Sequence, residues 1–446
     1  MAIRKKYLLP AIVFALLVFA GAADPGQVLT GNSLGNINTG DTAWMFVATA
    51  LVLIMTPGLG FFYGGMANRK NIISTVFQSV IMLGLISVIW VSFGFSLCFG
   101  DDIGGIIGNP LTFIMFKGVD LKPNPTFSPT IPFIIYAMFQ LKFAIITPAL
   151  ITGSFAQRVK FSGYLLFTIL FFVFIYAPIC HMTWHPDGLL FKYGILDFAG
   201  GTVVHMTAGF AALAGALFLG PRTESERTHE YANVPFVIIG TGLLWFGWFG
   251  FNAGSALGVN AKAANAFATT NTAAAAAMIA WILLDAMRGH KVSSIGACVG
   301  AVVGLVAITP ACGYVNVGES MAIGAIAAVI SNFAVHFKNK STLDDTLDVF
   351  PCHGVGGMVG MFLTGVFAAD YGTGIKDWGL VYGETKTFIH HIVGLVSVAS
   401  FSFVGSYALY YVTNLIDPIR VSKEEEELGL DISQHGESYQ TMRIDI

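Results

Sequence analysis

The sequence predicts an all-α polytopic membrane protein of eleven transmembrane helices, on three observations. Of its 446 residues 55% are hydrophobic and only 11% charged, with mean hydropathy +0.71, where soluble domains carry about 25% charged residues. Apolar runs of around 20 residues recur from end to end, the length at which a helix crosses a bilayer. Basic residues gather in alternate short connections. Too little polar surface remains for a water-soluble fold, so the chain reads as one transport-sized domain whose helices pack on each other.

Residues 1–23 stand apart. A basic start (Arg4, Lys5, Lys6), a short apolar stretch and small residues at Ala20, Ala22 and Ala23 predict a signal peptide cut after Ala22 or Ala23, with the mature N-terminus outside the cytoplasm. A retained first helix is the alternative, but about 14 apolar residues is short for a crossing. After a Gly/Asn segment come the predicted spans, at 43–66, 72–99, 131–156, 161–181, 197–219, 233–253, 263–286, 292–309, 318–336, 350–369 and 387–415. One set of short loops carries Arg69, Lys70, Arg158, Lys160, Arg222, Arg227, Arg288, Lys291, Lys338 and Lys340. The positive-inside rule therefore puts the N-terminus out and the C-terminus in, across the cytoplasmic (inner) membrane. Residues 24–416 form the membrane domain and 417–446 a cytoplasmic tail. The run of four glutamates at 424–427 reads most simply as a solvated, disordered tail.

An internal echo accompanies the spans. ITPA occurs at Ile146–Ala149 and again at Ile308–Ala311, and His205 and His353 each follow an aspartate (Asp197, Asp345) by eight residues. Matches between spans three and eight, and five and ten, predict two five-helix units in inverted orientation plus an eleventh helix. The net charge of −3 says nothing about partners, no basic tract suggests nucleic acid, and the five scattered cysteines lack metal-type spacing.

Polar side chains at membrane depth mark function, because burial there is costly. His205 lies about 12 Å deeper along its helix than Asp197, and His353 approaches mid-depth from the other side. Facing imidazoles pass a proton or hydrogen-bond a small polar solute. A structural bridge between helices is the competing reading; a metal site needs further ligands that the spacing does not supply. Phe139 and Phe143 share a helix face, as do Trp248 and Phe251, with Ser255 following. Such rings attract a desolvated cation, although most of the 38 phenylalanines simply pack. Asp197 caps its helix or attracts a cation, and the capping reading is the stronger.

At these residues the sequence resembles the ammonium transporter family (Amt/Mep/Rh), closest to its microbial Amt branch. The resemblance runs through TPGLGFFYGG (Thr56–Gly65), RKN (Arg69–Asn71), FQLKFAIITPALITGSFAQR (Phe139–Arg158), LDFAGGTVVH (Leu196–His205), FGWFGFNAGS (Phe246–Ser255), ITPACGYV (Ile308–Val315), DVFPCHGVGG (Asp348–Gly357) and LGLDISQHGE (Leu428–Glu437). It implies a homotrimer, each subunit with its own narrow hydrophobic pore, no cofactor and no catalytic residues. It implies an outer ammonium site of Phe139, Trp184 and Ser255 with Trp248 in the wall and Asp197 in support. It further implies a phenyl gate of Phe143 and Phe251, and twin pore histidines His205 and His353. The tail resembles a segment that contacts neighbouring subunits, and PII-type signal proteins dock on the inner face of some members.

Two departures stand out. His185 and Pro186 follow Trp184 where the family has glycines, which reshapes the outer vestibule. Lys142 lies between Phe139 and Phe143 in sequence and is expected to turn from the pore toward a subunit contact or polar partner. The expected activity is inward ammonium transport by capture, deprotonation and passage of ammonia, with or without the proton. The alternatives are a sensor signalling through the tail to a PII-type partner, an Rh-like gas channel, and an intramembrane metalloenzyme.

Overall fold

The computed structural model describes residues 8–23, 35–223 and 231–439. Helices dominate it: α1 (Leu8–Ala23), α2 (Thr39–Met66), α3 (Arg69–Phe99), α4 (Phe133–Ser154), α5 (Phe161–Tyr193), α6 (Gly201–Leu219), α7 (Val234–Gly254), α8 (Ala261–Met287), α9 (Ser294–Ile308), α10 (Val317–Asn339), α11 (Phe350–Phe367) and α12 (Lys386–Ile416). Ten of these, α2–α8 and α10–α12, are long and apolar enough to cross a membrane. The predicted span 292–309 is α9, only 15 residues long and so about 22 Å, short of the roughly 30 Å hydrocarbon core. The connection between α3 and α4 departs from the all-α prediction with two small antiparallel hairpins, Asp102–Ile103 with Ile107–Gly108 and Pro123–Asn124 with Ser128–Pro132.

The helix ends follow ordinary capping chemistry. Asn38, Asn233, Asn260, Ser293 and Asn316 each accept a backbone N–H of the first turn of α2, α7, α8, α9 and α10, satisfying donors that would otherwise be orphaned. The middle of the bundle is α4 and α6, which carry the most buried windows, followed by α5 and α11, while α12 runs along the outside.

Small residues let the central helices touch. A Cβ on Gly209 of α6 would fall 2.1 Å from the backbone nitrogen of Gly354 and 2.3 Å from its Cα, so α6 and α11 cross backbone to backbone. Both helices open with a π turn, Gly201–Met206 and Phe350–Val355, and each turn contains its histidine. Such insertions recur at functional sites because they re-aim side chains.

The tail folds against its own chain, against the expectation of disorder. Ser422 and Glu425 form a capping box on a short helix, Lys423–Leu428. Glu426 is buried and accepts from the Thr223 backbone N–H at 2.7 Å and the Arg420 guanidinium at 3.0 Å. Asp431 accepts from the N–H groups of Ile73 and Ser74 at the start of α3, and Leu430 donates its N–H to Asn71. These carboxylates stay ordered because each meets its own donors.

Candidate functional site

Two cavities lie to either side of the Phe143–Phe251 ring pair. The outer one, about 150 Å³, is lined by Tyr136, Gln140, Phe143, Trp184, Phe198, Ser255 and Leu257. The inner one, about 10 Å³, is walled by apolar side chains together with Trp248, Phe251, His205 and His353. That volume is the room of roughly one water-sized molecule.

The predicted gate residues form the partition. Phe143 lines the outer cavity and Phe251 the inner one, and their rings lie 4.3 Å apart at 36°.

At the outer cavity the Trp184 ring meets Phe143 edge-on at 5.4 Å, held by its indole N–H on the backbone oxygen of Asp197 at 3.1 Å. Ser255 donates its hydroxyl to the Phe251 carbonyl at 2.8 Å, which leaves the oxygen lone pairs to accept from a solute. Phe139 stands behind this wall, packed edge-on against Phe143 at 5.0 Å and over Gly254. Gln140 and Tyr136 occupy the lining, and the buried Gln140 Oε1 has no hydrogen-bond partner. The sequence carried a signal for them: Tyr136, Gln140 and Phe143 follow an i, i+4, i+7 helical spacing. His185 turns elsewhere, stacked on His181 at 4.3 Å.

In the inner chamber the two Nδ1 atoms of His205 and His353 face each other at 3.3 Å, with ring centroids 5.4 Å apart. Of two facing nitrogens one carries the proton and the other accepts it. The neutral pair therefore shows one Nε2–H donor and one Nε2 lone pair. His205 Nε2 is buried without a partner. Trp248 stacks on His205 at 5.3 Å and is pinned by its indole N–H on Thr309 Oγ1 at 2.9 Å, a support the sequence analysis missed. Trp248 thus belongs to the histidine chamber and not to the outer cavity.

Asp197 is spent on the backbone. Its carboxylate accepts from the N–H groups of Gly200, Gly201 and Thr202 at 2.7–2.8 Å, from Val203 at 3.4 Å, and from the Thr202 hydroxyl. It caps the turn that carries His205, as the capping reading anticipated. Asp345 does the same for His353, accepting from Val349 and Phe350 N–H at 3.1 and 2.7 Å. Burial lifts the Asp345 carboxyl to about 6. Beside it, Arg222 grips the Asp344 carboxylate through both Nε and a terminal nitrogen at 3.0 Å. Burial opposes ionisation of Asp344, yet the Arg222 hydrogen bonds and the nearby Arg158 hold it well below the ordinary carboxylate range. Burial lowers Arg158 itself to about 10; it donates to the Asp344 carbonyl and to Thr346. Among the described residues no cluster of three or more His, Cys, Asp or Glu suits a metal ion.

A many-helix membrane bundle with two cavities, an aromatic ring pair between them and paired imidazoles is the architecture of a membrane transporter. The chain belongs to the ammonium transporter family, whose description, Ammonium Transporter Family, matches residues 43–440. It is 47% identical over 407 residues to the ammonium transporter of Aquifex aeolicus, covering 91% of this chain and 94% of that one. It is 41% identical over 399 residues to the ammonium transporter of Bacillus subtilis, covering 89% and 98%. Among solved structures it superposes on Saccharomyces cerevisiae Mep2 with TM-score 0.84 and 33% identity, over 92% of this chain and 94% of that one. A protein titled Sensor Amt Protein matches with TM-score 0.80 and 28% identity, over 89% and 98%.

Proposed function

We propose that this protein carries ammonium into the cell as ammonia. Ammonium is captured among Trp184, Phe143, Tyr136, Gln140 and Ser255, where aromatic faces attract the cation and oxygen atoms accept its N–H groups. There it gives up a proton to water of the vestibule. Ammonia then passes the Phe143–Phe251 pair and enters the histidine chamber, donating to one imidazole Nε2 and accepting from the other. The observation that carries this reading is the partition: a vestibule roomy and polar enough for a cation opens onto a space for one small neutral molecule. An ion in that apolar space would cost several kcal/mol.

The reading includes eleven crossings with α9 as the eighth, two inverted five-helix repeats, N-out and C-in orientation, and a homotrimer in the cytoplasmic (inner) membrane. Supporting the repeats are the matching Asp-capped π turns of α6 and α11. Residues 1–23 act as a leader, residues 24–416 as the membrane domain and 417–446 as the cytoplasmic tail. A PII-type signal protein is the expected partner on the inner face. The second reading, a sensor, draws on the likeness to the Sensor Amt Protein and on the tail contacts with Thr223, next to the Arg222–Asp344 pair. Uptake of radiolabelled methylammonium into liposomes containing the purified protein tests transport. Saturable uptake suppressed by ammonium is expected, and uptake equal to that of empty liposomes refutes it.

A further inference from the structure

Two polar side chains at membrane depth, the buried Lys142 and the exposed Asn271, have no hydrogen-bond or ion-pair partner among the described residues. Lys142 lies in α4, 6% exposed, and lines neither cavity. It follows the half-buried Ile135 and Met138 by seven and four residues, so the three share one outward stripe. Its ammonium has no hydrogen bond or ion pair with any described residue. Asn271 lies in α8, on an exposed face with Ala264, Phe267 and Ile279, and its amide likewise has no partner among the described residues.

The two groups sit at one depth. Lys142 comes nine residues after the start of α4 and Asn271 ten after the start of α8, about 13 to 15 Å along helices that run in the same direction, being four crossings apart. At that depth the lysine stem is too short to snorkel to the headgroups. Lipid offers neither an acceptor for the ammonium nor a partner for the amide, so a protein surface must cover both.

We propose that this surface is a second copy of the chain, with the Lys142 ammonium of one protomer donating to the Asn271 side-chain oxygen of its neighbour. The chemistry is complementary: Lys supplies three donors and no acceptor, and the amide oxygen supplies lone pairs. The small residues Ala264, Ala268 and Ala275 beside Asn271 let another helix approach closely. A contact between two different patches is head-to-tail, and it satisfies every copy only when the ring closes. The inference rests on the trimeric reading and gives it a specific polar contact in each interface.

Two differently tagged full-length chains, one Lys142→Cys and one Asn271→Cys, are co-expressed, purified in mild detergent and oxidised. The native cysteines are all buried. A cross-linked dimer carrying both tags is expected, and none when either variant is expressed alone. An intact trimer by native mass spectrometry with no mixed cross-link overturns the pair while leaving the trimer standing. A purely monomeric wild-type protein overturns both. A second measurement covers the case where cysteine weakens assembly: Asn271→Leu should lower the temperature of trimer dissociation, and adding Lys142→Met should restore it. Failure to restore also overturns the pair.

Discussion

His205 and His353 face each other at 3.3 Å, and the neighbours of His205 leave its ring little freedom. Trp248 covers one face of His205, and Thr309 holds Trp248 in turn. Thr309→Val keeps the shape and removes the acceptor, stranding a buried indole N–H at a cost of about 1–3 kcal/mol. A lower melting temperature in detergent is expected, with slower uptake because the ring beneath His205 is loosened; unchanged values of both would show the bond to be idle. Asp344 and Asp345 respond to pH with opposite sign. The depressed Asp344 contributes stability fully above its ordinary range near 3.9, and loses it as pH falls toward its folded value. The raised Asp345 favours the folded state most when protonated, so its contribution declines as pH rises from about 4 to about 6. Asp344→Asn should therefore destabilise the protein by a constant amount from pH 6 to 8 and by progressively less below pH 4. Thermal melts across that range check it.

The π turns at the heads of α6 and α11 depend on the crossing at Gly209 and Gly354. A methyl at 209 has nowhere to go with backbone 2.1 Å away, so Gly209→Ala should force the helices apart. It is expected to abolish uptake and cut the yield of folded protein, read by size-exclusion chromatography; normal folding with normal uptake would contradict the crossing. The tail makes a separate prediction. Asp431→Ala strands two N–H groups at the start of α3, and should raise amide exchange across 423–435 without changing exchange in α6.

The helices were readable because apolar run length is a strong signal, and even the capping role of Asp197 followed from its place before Gly200 and Gly201. Other features were not readable, for distinct physical reasons. The order of the tail depends on hydrogen-bond partners some 350 residues away, the Asn71 side-chain oxygen and the Ser74 N–H, which no local pattern of glutamates reveals. The placement of Phe139 behind Phe143, with Gln140 taking the lining, turns on a difference of one position around a helix. Thr309 matters only through its bond to Trp248, 61 residues distant, and nothing in its own neighbourhood points there.

On the proposed reading the assembled bundle separates two jobs, capture of a cation and passage of a neutral molecule, with the Phe143–Phe251 contact between them. Removing both rings with Phe143→Ala/Phe251→Ala should merge the two cavities and admit water. A potassium conductance absent from the native protein is then expected in liposome flux assays, and retained exclusion of potassium would show that selectivity lies elsewhere. On the same reading the paired imidazoles supply ammonia with hydrogen bonds that an otherwise apolar chamber lacks. The most direct test is electrical recording from reconstituted protein under an ammonium pulse, comparing wild type with the His205→Ala/His353→Ala double variant. The double variant should lose native ammonium transport, either falling silent or passing a current that no longer excludes potassium. Native transport with native selectivity in that variant would contradict the mechanism.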